Sequence, residues 1–170
     1  MRGNKDSQLI TSPLCNCRGR KKDPNVCPLN GKCQKTDIIH RADVTSNGDE
    51  KIYIGSTGTS FKTRYTQHKA SLTHKDHSNQ TTLSTYCWQE KAKGNSPSIK
   101  WSIVKEIRGR YNRKNGCPLC NRERLEIASI NKHKLLNRRY ELKSGCPHHR
   151  NDFFPTVKPP RIKASLGAKR

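Results

Sequence analysis

Arg64 and His68 stand four residues apart in a stretch where Phe61, Tyr65 and Leu72 recur at helical spacing. Residues i and i+4 share one side of a helix, so a guanidinium and an imidazole would project together. Just upstream, Lys51-Ile-Tyr-Ile-Gly-Ser56 reads as a short apolar strand whose Tyr53-Ile54-Gly55 leads into a turn. Strand, turn, then a cation and an imidazole on one helical face is an arrangement suited to holding a phosphate. An arginine fork matches phosphate oxygens, and an imidazole titrates near pH ~6.5.

The eight cysteines carry a second chemistry. Cys117-Pro-Leu-Cys120 has the spacing zinc sites use, and Cys146-Pro-His148 comes later in the chain. One Zn²⁺ held by Cys117, Cys120, Cys146 and His148 would be a closed tetrahedral structural site, with His149 able to replace His148. Cys15-Asn-Cys17 and Cys27-x5-Cys33 supply four more thiols for a second site. Cys87 has no partner in sequence and reads as a helix-packing residue. With no signal-peptide core at the N-terminus, the thiols are expected reduced, inside the cell, and available to metal rather than tied as disulfides.

The chain has 35 Lys+Arg against 13 Asp+Glu, a formal charge of +22 spread over its length. Such a field favours polyanions, nucleic acid first among them. Basic clusters stand at Arg18, Arg20, Lys21 and Lys22, at Arg108, Arg110, Arg113 and Lys114, and around Arg138. Side chains of this kind contact phosphates and carry little sequence information, so binding should be salt-sensitive and weakly selective. The first cluster also reads as a nuclear localisation signal, and a nuclear protein is expected. Trp88, Trp101 and Tyr111 are the aromatics available to stack on bases, with Trp101 better suited to a core. No apolar run approaches the ~18 residues a membrane helix needs. Leu, Ile, Val and Phe together number 29 of 170. That is a thin core, which metal sites would have to supplement.

The elements that must position these groups are set by pattern. Residues 36–44 and 51–56 read as strands joined by a hairpin turn at Asn47-Gly48. Residues 60–74 and 83–93 read as helices, the second ended by Gly94. Residues 98–107 alternate, with Ile99, Trp101 and Ile103 on one face, as a third strand. A third helix spans 119–134. The expected fold is α+β, a three-stranded antiparallel sheet flanked by helices. A Cys-rich basic segment (1–35) precedes the core (36–142), which is succeeded by a ligand-bearing segment (143–154) and a flexible basic tail (155–170).

This order, with these residues in place, resembles the GIY-YIG endonucleases. Over about residues 27–149 it is most similar to the endonuclease of Penelope-like retroelements. That family's Cys-Pro-Leu-Asn-Gly-x-Cys segment matches Cys27 to Cys33, and its second motif matches Tyr53-Ile54-Gly55. Its helix motif matches Arg64 and His68, its acidic residue Glu123, and a later asparagine Asn137. The first motif departs: Ile38-Ile39-His40 stands where the family has Gly-Ile-Tyr.

The resemblance implies metal-assisted hydrolysis of a DNA phosphodiester. Glu123 would bind Mg²⁺ or Mn²⁺, and Arg64 would offset transition-state charge. Tyr53 would hold the attacking water, His68 would assist proton transfer, and Asn137 would orient Glu123 or the substrate. His40 could take the base role in place of tyrosine. The implied task is nicking target DNA for retroelement insertion, with a reverse transcriptase domain or element RNA as partner. The resemblance also offers a different N-terminal site, with Cys27 and Cys33 joined by His68 and His74. The four-cysteine set is the alternative, and His68 cannot serve both zinc and catalysis. An inactive, zinc-stabilised nucleic-acid-binding module is the competing function.

Overall fold

The computed structural model describes residues 27–108 and 116–138, together with Cys15, Cys17, Cys146 and His148. Arg18, Arg20, Lys21, Lys22, Arg110, Tyr111, Arg113, Lys114, His149 and the tail lie outside the described residues.

The fold is α+β. Strands β1 (Ile38–Ser46), β2 (Asp49–Thr57) and β3 (Ser98–Glu106) form one antiparallel sheet in the order β2-β1-β3. Helices α1 (Phe61–Thr73) and α2 (Thr82–Ala92) lie between β2 and β3 in the chain, and α3 (Pro118–Ser129) comes after β3. Asn47 and Gly48 both have positive φ, as a tight hairpin between right-twisted strands requires. β1 starts at Ile38, two residues later than the sequence pattern suggests. Asp37 has φ 49°, a left-handed conformation that no strand residue adopts.

Alternation sorts the side chains into two faces. Ala42, Val44 and Tyr53 pack with Leu83 and Cys87 of α2, joined by Ile99 and Trp101 of β3. Ile39, Ile52 and Ile54 pack on the other face against Leu119, Cys120 and Ile127 of α3. The sheet is thus a middle layer, and β2 runs buried on both sides from Ile52 to Gly55. Cys87 is a packing residue as expected, 1% exposed.

Local signals set the helix ends. Ser60 accepts from the Thr63 amide to cap α1, and Thr81 and Ser84 cap α2 reciprocally. Pro118 opens α3 at a position where no amide is needed. The third helix is shorter than its pattern suggests, ending at Ser129 rather than residue 134. The chain beyond Ile130 is drawn instead to the free edge of β2. The Ile52 amide donates to the Lys134 carbonyl (2.7 Å), and the Leu136 amide to the Ile52 carbonyl (2.8 Å). This parallel bridge between Ile52 and Leu135 covers an edge that would otherwise invite pairing.

Candidate functional site

β2 delivers residues alternately to two sides, so its end serves both. Tyr53 points toward α1 and α2, while Ser56, two beyond Ile54, falls on the α3 side. Around this strand end opens a cleft of about 1080 Å³. Tyr53, Arg64, Glu123, Arg124 and Arg138 all line it. Glu123 is fixed by the Ser56 hydroxyl, which donates to Oε2 at 2.8 Å. Arg64 donates from one terminal nitrogen to Gln67 Oε1 (2.9 Å), while its Nε is buried with no hydrogen-bond partner among the described residues. Three guanidiniums thus share one cleft with a positioned carboxylate, a lining that suits a phosphate.

The two histidines are placed differently from the sequence expectation. His68 falls on the Phe61–Tyr65–Leu72 stripe of α1 and is 1% exposed, so it turns inward while Arg64 faces the cleft. His40 is 0% exposed and lines no part of the cleft. Its ring lies 5.2 Å from Phe61, 5.5 Å from His68 and 5.8 Å from Trp101 between centroids. Tyr53 contacts His68 edge-on at 5.7 Å. Burial, then the charge of His68 and Arg64, holds His40 well below the usual imidazole range. Burial and Arg64 bring His68 down to about 3. Both rings are neutral at pH 7, and His40 cannot meet a water in the cleft without rearrangement. Its expected role as base does not fit this position. Among the described residues, both His40 ring nitrogens and His68 Nε2 are buried without a hydrogen-bond partner.

Gly55 makes room for this packing. A Cβ there would sit 2.6 Å from His40 Nε2 and 3.1 Å from Tyr53 Cε1. Asn137 also differs from expectation. It accepts from the Ile54 amide and donates to the Ile54 carbonyl, both at 2.8 Å, so it extends the Leu136 ladder along β2. It positions the strand that bears Tyr53 and Ser56. Sequence reasoning missed Ser56, Gln67 and Arg124. Strand alternation from Ile54 would have found Ser56, and the i, i+3 step from Arg64 would have found Gln67. Of the described basic-cluster residues, Arg138 lines the cleft and Arg108 does not. Trp88 donates its indole N–H to the Ser71 carbonyl (2.9 Å), which pins α2 to α1.

Two thiol clusters stand at either side of this core. Cys15, Cys17, Cys27 and Cys33 place their sulfurs within 4.8 Å of one another, as do the ligand atoms of Cys117, Cys120, Cys146 and His148. The N-terminal set is the four-cysteine one; His68 and His74 are not part of it. The Cys17–Cys33 and Cys33–Cys15 separations of 3.5 and 3.6 Å are far too long for disulfides. They approach the ~3.8 Å that four sulfurs around one Zn²⁺ would adopt. His148 Nδ1 lies 3.2 Å from Cys120 Sγ and 3.8–3.9 Å from the sulfurs of Cys146 and Cys117. Burial raises the Cys27 thiol, but the Leu29 and Gly31 amides and the Cys15 and Cys33 thiols draw it down to about 7. Burial and crowding by neighbouring thiols push Cys33 and Cys120 up. Thiols this close cannot ionise together without a cation among them. Both donor sets could bind structural zinc.

No known family profile, curated protein or solved structure matches the chain. No helix among the described residues is long and apolar enough to cross a membrane.

Proposed function

We propose that the chain is a metal-dependent DNA endonuclease of the GIY-YIG kind, a nickase related to those of Penelope-like retroelements. The observation that carries this reading is the meeting of Tyr53, Arg64 and Glu123, from three separate elements, on one arginine-lined cleft. Arg64 and Arg138 hold the phosphate and offset the charge that builds on it. Tyr53, the one motif aromatic that faces the cleft, orients the attacking water, and His68 braces its ring from behind. Glu123, steadied by Ser56, would hold Mg²⁺ or Mn²⁺, which would supply Lewis-acid stabilisation of the phosphate and the departing oxygen. Water adds to phosphorus as the bond to the 3′ oxygen breaks, and that oxygen leaves as a hydroxyl able to prime synthesis. Action in the nucleus, beside a reverse transcriptase domain or element RNA, belongs to the same reading.

One observation favours a second reading, a zinc-stabilised nucleic-acid-binding module that does not cut. The residue at the family's first tyrosine, His40, is sealed inside the core. Supercoiled plasmid with Mg²⁺ or Mn²⁺ separates the two. Nicking that falls at least about 100-fold in both Glu123→Ala and Arg64→Ala supports the nuclease. Gel retardation without nicking supports the module, and full nicking by Glu123→Ala would show that the catalytic site lies elsewhere.

A further inference from the structure

The cleft has a wall that the proposed cutting residues leave unused, the start of α2. Gln80, Thr81, Thr82 and Thr85 line it together with Arg64 and Gln67. The capping box pairs the Thr81 amide with Ser84 Oγ and the Ser84 amide with Thr81 Oγ1, both at 3.1 Å. Thr82 and Leu83 are left as the first-turn residues whose amides no cap accepts. Thr82 is only 9% exposed, and its hydroxyl is buried without a hydrogen-bond partner among the described residues. The buried Nε of Arg64 lacks one as well. Two such donors in one cleft are costly unless a ligand completes them. The first turn of α2 has no acidic residue to occupy its positive end. Leu83 packs in one cluster with Tyr53, which sets this turn beside that residue.

We propose that the first turn of α2, with Thr82, Arg64 and Gln67, is a second anion subsite that takes a backbone phosphate flanking the one to be cut. The inference rests on the nuclease reading for the identity of that neighbouring phosphate. The ligand is the phosphodiester monoanion of a polynucleotide. Its oxygens would accept from the Thr82 hydroxyl, the first-turn amides and Arg64 Nε, while the Gln67 amide group adds a donor.

The test is a nuclear magnetic resonance titration of the zinc-loaded Glu123→Gln chain, without Mg²⁺ or Mn²⁺, using a short DNA duplex and, separately, inorganic phosphate. The duplex should shift the Thr82 and Leu83 amides saturably, at far lower concentration than inorganic phosphate does. Gln80→Glu places a carboxylate at the exposed entry to the turn, where it leaves the fold intact. It should weaken duplex binding about fivefold. Thr82→Val should weaken it similarly. Duplex binding that leaves these signals unmoved overturns the subsite, as does unchanged affinity in Gln80→Glu. Shifts produced by inorganic phosphate but not by duplex overturn the polynucleotide assignment. Nicking by the parent chain is scored separately: its absence with these shifts present removes the nuclease reading alone, and its presence without them removes the subsite alone.

Discussion

The two thiol clusters share a donor chemistry and differ in what they hold. The Cys15–Cys33 set belongs to the interior. Cys27 and Cys33 pack with Leu29, Ile38 and Phe61, and the Cys33 carbonyl accepts from the Lys62 amide at 2.8 Å, beneath the start of α1. None of its four cysteines lines the cleft. The Cys117–His148 set belongs to the site. Cys117 stands at the N-cap position of α3, Glu123 stands one turn beyond Cys120, and Cys117, Cys120 and His148 are themselves cleft wall. His148 also lies against the turn after β2, where a Cβ on Gly58 would be 3.5 Å from its ring. One cluster therefore supplements a thin core, and the other ties the helix bearing the carboxylate to the strand bearing the tyrosine.

The largest break in this contrast is Cys33→Ser. Loss of one ligand from the interior cluster should abolish cooperative folding, because structural zinc supplies folding energy directly. Circular dichroism during urea unfolding checks it, and a parent-like transition would remove the N-terminal cluster from the stability of the fold. Cys120→Ser should act more locally. We expect a cooperative transition at a lower urea midpoint and, on the proposed nuclease reading, a nicking rate down about 100-fold, the effect of displacing a reacting group by about 1 Å. If Cys120→Ser nicks normally, the second cluster does not position Glu123.

A smaller effect tests the aromatic layer that lies against the interior cluster. Gly55→Ala forces a methyl into the space of the His40 ring and should cost about 1–3 kcal/mol in stability. Adding His40→Ala should recover part of the loss, a coupling that a double-mutant cycle measures. Additive effects would mean that the two residues do not share the space.

Much of this contrast was legible in the residues. Cys-x2-Cys with Cys-x-His narrows the ligand set to Cys117, Cys120, Cys146 and one of two adjacent histidines, and Asn47-Gly48 fixes the hairpin register that puts His40 opposite Gly55. The end of α3 was not legible, because residues 130–134 carry no helix breaker. They are stopped by the unpaired edge of β2, far away in sequence. The role of Asn137 depends on the same edge. The inward turn of His68 was visible in the Phe61–Tyr65–Leu72 stripe, but the presence of Arg64 four residues away favoured grouping the two by chemistry. Burial at a strand-pair position such as His40 depends on Phe61 and Trp101 closing over it, and no local pattern contains that.

The smallest predicted effect decides on which side of the contrast His40 belongs. In the folded chain both histidines are held neutral, His68 down to about 3 and His40 well below the ordinary range. In the unfolded chain each takes a proton near pH ~6.5. Between those values the unfolded state binds more protons, so their contribution is fully present above ~6.5 and is lost as pH falls toward the folded values. Each buried histidine should remove about 0.7 kcal/mol from the unfolding free energy between pH 7 and pH 6. Metal-linked protonation of thiols adds its own slope, but equally in parent and variant. His40→Phe suits the aromatic slot and should keep the fold while removing that share of the slope. Urea unfolding of both proteins at the two pH values gives the difference. An unchanged slope would mean that His40 charges freely within the fold, and would return it to the candidate bases at the cleft.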